Sequence, residues 1–277
     1  MDAYVLYNYN PSLAAAIVAL LLFLGSTFAH AFLAFKHRMK FLVTFIVGGL
    51  FETIGYGARA ANAQQAPNYA IMPYSLQSVF ILLAPSLLAA SIYMILGRII
   101  CLVDGDSRSL IRAIRLTKIF VLGDVLSFLI QSSGGGILST AKSADTMQLG
   151  ENIIIVGLIV QILFFGFFVI VSIVFHLRIS ARPTSSSLRT SVDWKRCLVV
   201  LYFASILIMV RCIYRVAEYV QGQKGTLQSH EYYAYIFDAL LMFLVTLVFI
   251  VFHPTQFLSK SDSKLDDTEL MYGRLAE

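Results

Sequence analysis

Seven long stretches of mostly apolar residues divide the chain, and polar residues are concentrated between them. The stretches fall at 13–35, 41–60, 74–98, 118–140, 152–177, 197–220 and 232–253. Because a hydrocarbon core about 30 Å thick needs around 20 apolar residues per helix, each stretch is long enough to cross a membrane. The pattern predicts an all-α integral membrane protein, a seven-transmembrane-helix bundle flanked by an N-terminal segment 1–12 and a disordered tail 254–277.

Composition agrees with a membrane protein, and basic residues predict its orientation. Charged residues make up 13% of the chain, about half of the roughly 25% found in soluble domains. Of the 21 lysines and arginines, sixteen lie in 36–40, 97–118, 178–196 and the tail, and two in the loops of the other side. Basic loops stay in the cytoplasm, so we expect an extracellular N-terminus and a cytoplasmic C-terminus. The net charge of +5 then faces anionic lipid headgroups, and no nucleic-acid partner is predicted.

Charged side chains nevertheless occur inside the predicted helices, where each costs about 2.5–3.5 kcal/mol unless it is paired or hydrated. They are Glu52, Arg59, Asp124, Arg211, Arg215, Glu218 and Asp238. With a rise of 1.5 Å per residue, Glu52, Arg211 and Asp238 lie at a shared height, roughly 18–22 Å from the cytoplasmic helix ends. Gln131 and Gln161 fall in the same band. Tyrosines collect nearby, at the predicted extracellular boundary, as interfacial aromatic residues do.

This polar belt has two compatible interpretations. One is a structural ion-pair network that fixes helix register, in which Glu52, Glu218 and Asp238 balance Arg59, Arg211 and Arg215. The other is a water-filled cavity, open to the outside, that binds a ligand with a polar headgroup. Asp124 lies about 9 Å from the inner face without a partner at its level. It is either a hydrogen-bonded acid or a site for a proton or an ammonium group.

Residues that weaken a helix point to places where it could bend. Pro85 and the run Gly134, Gly135 and Gly136 are the hinge candidates, since irregular backbone at depth is tolerated where it lines a cavity. A packing role is the alternative for Pro85. The small residues Gly48, Gly49 and Gly55 would pack helices either within one subunit or between two subunits of a homo-oligomer.

Several of these residues form motifs that resemble a known family. The motifs are Glu52-x-x-Gly55-Tyr56-x-x-Arg59, Leu82-Leu83-Ala84-Pro85, Asp124-x-x-Ser127-Phe128-x-x-Gln131, Gly157-x-x-x-Gln161, Arg211-x-x-Tyr214-Arg215-x-x-Glu218 and Phe237-Asp238-Ala239. Together they resemble the fungal RTA-like family of lipid-translocating exporters and aminosterol-resistance proteins. The resemblance implies a fungal seven-helix protein of the plasma membrane, or of another endomembrane, that gives resistance to toxic amphiphiles such as sphingoid long-chain bases, aminosterols or porphyrin.

A mechanism follows from combining the resemblance with the charges. An ammonium headgroup needs a carboxylate inside the membrane, so Glu52, Asp238 or Asp124 would receive the amine while Arg211 and Arg215 hold the acids. The predicted ligands are membrane lipids or amphiphilic small molecules. The candidate binding residues are Glu52, Tyr56, Arg59, Asp124, Gln131, Gln161, Arg211, Arg215, Glu218 and Asp238.

Two other classes of protein remain as alternatives. Seven helices with an extracellular N-terminus are also typical of a receptor, so a lipid receptor or sensor that transports no lipid is the first alternative. An intramembrane zinc hydrolase would need about three protein ligands and a water, and the spacing of His30, His176 and His253 does not resemble such a site. No Gly-x-Ser-x-Gly turn is present for a nucleophilic serine. We therefore predict that the protein is not an enzyme and has no catalytic residues, metal or cofactor.

Overall fold

The computed structural model describes residues 7, 9–37, 42–140, 143–190, 192–222 and 225–252. His253, the predicted tail 254–277 and most of the predicted N-terminal segment 1–12 lie outside the described residues. The α-helices, in chain order, are α1 (Leu13–His37), α2 (Val43–Ala63), α3 (Ile71–Leu102), α4 (Ala113–Thr140), α5 (Ala144–Ala181), α6 (Ser185–Arg189), α7 (Trp194–Gln221), α8 (Thr226–Ser229), α9 (Glu231–Ala234) and α10 (Leu241–Val251). A 3-10 turn covers Asp106–Arg108, and a π-helical segment, Tyr235–Leu240, joins α9 to α10.

Seven long helical segments cover the seven apolar stretches, with α9, the π segment and α10 forming the last. The main difference from the sequence-based bounds is α5, which begins at Ala144 instead of 152. Its first turn is polar but capped, because the Ser143 hydroxyl accepts a hydrogen bond from Thr146 N at 3.3 Å. The apolar pattern alone could not reveal that turn.

Among the described residues, five segments are long and apolar enough to cross a membrane: α1, α3, most of α5, α7 and Glu231–Val251. The chain is therefore a multi-pass membrane protein. The other two long helices, α2 and α4, carry more polar and small residues. In α2 these residues lie on the buried face, which includes Gly48, Glu52, Gly55 and Arg59. Their spacing of three and four residues is that of one side of a helix.

The long segments run alternately up and down, and consecutive ones pack together: α1 on α2, α2 on α3 and α4 on α5. The helix α7 packs against α3, α5 and α10, so it joins the last long segment to the helices before it. We call the end of the bundle that carries Leu13, Ala63 and Gln221 the N-terminal end, and the end that carries His37, Trp194 and Val251 the C-terminal end. The helix α7 ends at Gln221 because Gly222 follows with a φ of 67°, a conformation that favours glycine.

The C-terminal half of the bundle is packed with aromatic rings. The Tyr93 ring lies 4.5 Å from Phe168 and 5.4 Å from Phe120, measured between centroids. The side chains of Phe165 and Phe175 are buried with them. Rings at these separations attract one another in tilted or edge-to-face arrangements, so this half is a dense apolar core.

The hinge candidates lie in unbroken helices: α3 continues through Pro85 and α4 through Gly134–Gly136. Gly134 is a close-packing residue, because a Cβ there would lie 2.7 Å from Gly150 O on α5. Gly135 and Gly136 have open space at the same position. On α2, Gly48 and Gly55 face α3 and Gly49 faces α1, so all three pack within the chain.

Candidate functional site

A buried ion pair joins the last two long segments at mid-height. Arg211 Nε on α7 lies 2.5 Å from Asp238 Oδ1 in the π segment, and the Arg211 side chain has no exposed surface. Breaking such a pair would leave a charge buried without compensation. Helix rise alone predicted that Arg211 and Asp238 lie at one height, and in the structure the two side chains are in direct contact.

Pro85 frees the backbone carbonyl that is the second partner of Arg211. Proline has no backbone N–H, so the carbonyl four residues earlier, that of Ile81, loses its helical donor. Arg211 Nη2 donates to Ile81 O at 2.9 Å. The close approach of α2 at the same level is allowed by Gly55, where a Cβ would lie 2.6 Å from Ile81 Cγ1. Pro85, proposed from sequence as a hinge or packing residue, therefore exposes the acceptor that holds Arg211.

A second arginine shares Asp238. Arg215, one turn along α7, pairs with Glu218 at 2.7 Å, and its Nη1 lies 3.8 Å from Asp238 Oδ2. That second distance is too long for a hydrogen bond. Asp238 sits in the π segment, and π-helical turns are often found at functional sites because they redirect side chains. Oδ1 of Asp238 therefore accepts a hydrogen bond from Arg211, whereas Oδ2 has only the longer contact with Arg215.

Glu52 completes this cluster but forms no hydrogen bond in it. Its side chain is 1% exposed, and both carboxylate oxygens are buried without a hydrogen-bond partner. Asp238, Arg211 and Arg215 lie close enough to act on it electrostatically. Nη1 of Arg211 is likewise buried without a partner. Within the described part of the chain, Nε of Arg215 is also buried without a partner, so the cluster contains an unused carboxyl group and two unused donors.

Arg59 lies nearer the N-terminal end and has partners of its own. Its Nη2 donates to Glu231 at 2.8 Å and to the Tyr9 hydroxyl at 2.7 Å, and its Nε donates to the Tyr235 hydroxyl at 3.1 Å. The expected charge balance is therefore incorrect in one respect: Arg59 is neutralised by Glu231, so Glu52 is left without an arginine of its own.

A cavity of about 110 Å³ opens between these groups at the N-terminal end of the bundle. Its polar walls include Arg59, Arg215, Glu218 and Asp238, with Glu151 at the α5 side. Tyrosines form half of the rest: Tyr7, Tyr9, Tyr56, Tyr74, Tyr219 and Tyr235. It is smaller than the roughly 300–1,000 Å³ of pockets that enclose a whole drug-sized ligand. It has room for several waters or for a ligand's headgroup.

Tyr7 and Tyr9, from the N-terminal segment, line one side of this cavity. The Tyr7 hydroxyl donates to Gln77 Oε1 at 2.8 Å and accepts from Asn62 Nδ2 at 3.3 Å. Burial raises the pKa of the Tyr7 hydroxyl, so it remains a donor at physiological pH. Ser12 N donates to the other oxygen of Glu231 at 2.8 Å, which ties the start of α1 to α9.

The remaining candidates lie away from the cavity. Gln131 Nε2 donates to Gln161 Oε1 at 3.2 Å, and Gln161 Nε2 donates to the Ser86 hydroxyl at 3.3 Å, which links α4, α5 and α3. Asp124 is buried in the C-terminal half beside the Tyr93 hydroxyl. The structure thus gathers Glu52, Arg211, Arg215, Glu218 and Asp238 in one cluster, and it separates the glutamine chain and Asp124 from them.

Glu231, Glu151, Gln77 and the cavity tyrosines other than Tyr56 were not among the site residues predicted from sequence. Glu231 precedes the last apolar stretch, and the tyrosines fit an interfacial belt equally well. Their shared role depends on how the loops fold back over the helix ends, which helix periodicity does not encode. The one usable signal was the concentration of tyrosines at one predicted boundary.

Residues 45–261 match the family model described as "RTA1 like protein". The chain belongs to the RTA1-like family. This RTA1-like protein is 36% identical to Protein RTA1 of Saccharomyces cerevisiae over 278 residues, covering 91% of this chain and 86% of that protein. It is also 36% identical to Protoporphyrin uptake protein 1 of the same species over 285 residues, covering 90% and 92%.

A third relative has a name that specifies a lipid. Identity to Sphingoid long-chain base transporter RSB1 of Saccharomyces cerevisiae is 28% over 246 residues, covering 77% of this RTA1-like protein and 64% of that one. No solved structure matches the chain. The family and these names make it a lipid-related membrane protein.

Proposed function

We propose that this protein binds the ammonium headgroup of an amphiphile, such as a sphingoid long-chain base or an aminosterol, in the cavity at the N-terminal end, and moves it across the membrane. The observation that carries the proposal is the surplus of acids around the cavity. Four carboxyl groups, those of Glu151, Glu218, Glu231 and Asp238, surround three arginines, Arg59, Arg211 and Arg215, before Glu52 is counted. An additional cation compensates that surplus, whereas an anionic headgroup would increase it.

Asp238 is the acid that we assign to the amine. It lines the cavity, and only one of its oxygens is engaged by Arg211. A charge-assisted hydrogen bond from an ammonium group to Oδ2 would satisfy the other. The rings of Tyr7, Tyr9 and Tyr235 already hold the Arg59 guanidinium within about 6 Å of their centroids, so this wall of the cavity is suited to cation–π contacts. The cavity is too small for a long hydrocarbon chain, so the chain would remain among the lipid tails.

The cellular setting belongs to the same proposal. Seven spanning segments would place the N-terminal end outside and the basic loops in the cytoplasm. The cavity would then open to the outer leaflet of the plasma membrane, where export would give resistance to toxic amphiphiles. Transport, and not catalysis, is also the activity that the name of the RSB1 relative gives to that protein.

Reconstitution in liposomes tests the proposal. A fluorescent long-chain base is added, and a membrane-impermeant quencher reports how much of it has crossed the bilayer. We expect faster crossing with the protein than without it, and no acceleration with the Asp238→Asn variant. The Asp193→Asn variant, which changes an exposed acid at the opposite end of the bundle, is the control.

The same assay separates the alternatives. Saturable binding of the base without accelerated crossing would identify a lipid sensor. Strong competition by protoporphyrin IX, whose carboxylates carry the opposite charge, would contradict the assignment of an ammonium headgroup.

A further inference from the structure

Glu52 is the one member of the central cluster that the ion pairs do not explain. It points into a group of charges, it is 1% exposed, and neither of its oxygens has a hydrogen-bond partner among the described residues. An ionised carboxylate in such a place is costly, because it has lost water and gained no hydrogen bond. Its retention in the cluster therefore needs a reason.

Charge counting suggests one. Without Glu52, the cluster contains two arginines, Arg211 and Arg215, and two acids, Asp238 and Glu218, so its formal charges cancel. Glu52 keeps that neutrality only if its carboxyl group carries a proton. When a ligand cation enters beside Asp238, neutrality is kept only if that proton leaves.

We propose that Glu52 is a proton-binding site whose proton is exchanged for the cationic headgroup of the ligand. This inference rests on the proposed function and adds its coupling ion. One ammonium group enters and one proton leaves into the water of the cavity, so the net charge of the buried cluster is unchanged. Transport coupled in this way is an exchange of protons for amphiphilic amines.

The unused donor of Arg211 supplies the means of exchange. In the structure Arg211 uses Nε for Asp238 and Nη2 for Ile81 O, while Nη1 is buried without a partner. An ammonium group at Asp238 competes for that carboxylate. Arg211 can then direct Nη1 to Glu52, which stabilises the ionised form of Glu52 as its proton departs. Arg211 thus acts as a positioning residue between two acids.

The surroundings of Glu52 support a local exchange. The charged groups that act on it are Asp238 from the π segment and Arg211 and Arg215 from α7. Tyr56, one turn further along α2, is the nearby phenol. From α1 and α3, which also pack on α2, no charged group within the described residues acts on it. The state of Glu52 therefore depends on the same three residues that line or support the ligand site.

Proton release on binding tests the inference directly. The full-length protein is placed in nanodiscs in weak buffer with a pH indicator, and N,N,N-trimethylsphingosine is added. This probe has a permanent charge, so it can neither donate nor take up a proton itself. We expect one proton to be released for each probe bound, and binding that tightens up to tenfold per pH unit as the pH rises. Neutral N-acetylsphingosine should release none.

Matched variants locate the source of the proton. Glu52→Gln mimics the protonated acid, so it should fold and bind the probe without releasing a proton and without a pH dependence. Asp193→Asn should behave like the wild type. Binding by the wild type without proton release would overturn this inference and leave the proposed function in place. Loss of proton release in Asp124→Asn, with release retained in Glu52→Gln, would also overturn it. The probe has no N–H and pairs with Asp238 by charge alone, so failure of both the probe and unmethylated sphingosine to bind would overturn both proposals.

Infrared spectroscopy provides a test that needs no ligand. A protonated carboxyl group has a C=O stretching band distinct from those of carboxylates and amides. We expect the difference spectrum between the wild type and Glu52→Gln at neutral pH to contain this band. A carboxylate band in its place would show that Glu52 is ionised at rest and would contradict the exchange.

Discussion

The two halves of the bundle each bury an acid, but they treat it differently. In the N-terminal half, Asp238 has two arginines beside it and faces a cavity of about 110 Å³. In the C-terminal half, Asp124 lies beside the Tyr93 hydroxyl, among closely packed aromatic rings. An acid that has arginines beside it and a cavity in front of it can exchange an ion-pair partner for a ligand cation. An acid enclosed by rings has no such space for a ligand, so burial alone does not identify a ligand site.

Removal of Arg211 should have the largest effect, because it leaves Asp238 buried without its closest partner. We expect Arg211→Ala to lower the free energy of unfolding by about 3–5 kcal/mol, measured by thermal or denaturant unfolding in detergent. Arg196→Ala removes the exposed pair with Asp193 and should cost less than about 1 kcal/mol. Equal losses of unfolding free energy in the two variants would mean that the buried pair contributes no more to stability than the exposed pair.

Neutralisation of the two buried acids should distinguish the halves by function. Asp238→Asn should weaken binding of a long-chain base by about 10- to 100-fold, because it removes a charge-assisted interaction worth roughly 1.5–3 kcal/mol. Resistance of expressing cells to that base should fall at equal surface expression. Asp124→Asn should retain binding. The assignment of the ligand to the N-terminal half is wrong if Asp124→Asn has the greater effect.

The packed contact between α4 and α5 offers a test of whether α4 bends at the run Gly134–Gly136. Gly134→Val places atoms against Gly150 O and should destabilise the protein by about 1–3 kcal/mol through overpacking. Gly135→Ala meets open space and should be neutral, or stabilising by up to about 1 kcal/mol, since alanine favours helix. Slower transport by a stable Gly135→Ala protein would instead support the hinge predicted from sequence.

Tyr9→Phe should have a small effect on the ligand. The substitution removes the hydroxyl that accepts from Arg59 but keeps the ring, and Arg59 keeps its pair with Glu231, so we expect a loss of about 1.5 kcal/mol, the low end for a hydrogen bond to a charged group. The wall of the cavity should loosen, and the ligand should dissociate faster with little change in maximum binding. An unchanged dissociation rate, measured by fluorescence after dilution, would show that this tyrosine does not restrain the ligand.

Helix periodicity predicted much of the fold and part of the site. The long apolar stretches locate the long helices, and the spacing of Arg211, Arg215 and Glu218 places them on one side of α7. The height argument brought Arg211 and Asp238 to one level because helix rise is constant. These quantities are local, so a single sequence contains them.

Partner choice was not predictable in the same way. Arg59 pairs with Glu231, which lies 172 positions away and before the last apolar stretch. The link from Arg211 to Ile81 O depends on a carbonyl that Pro85 releases, and the rotation of Asp238 depends on a π-helical turn. The two contacts depend on how separate segments pack, and the π-helical turn departs from regular helix geometry, so residue spacing within one helix specifies none of them.

Photo-crosslinking is the most direct test of where the ligand binds. A photoactivatable long-chain base is added to the protein in liposomes, and the modified residues are identified by mass spectrometry with and without an excess of unlabelled base. We predict competable crosslinks around Tyr56, Arg215, Tyr235 and Asp238. Competable crosslinks confined to the neighbourhood of Tyr93 and Asp124 would contradict the account.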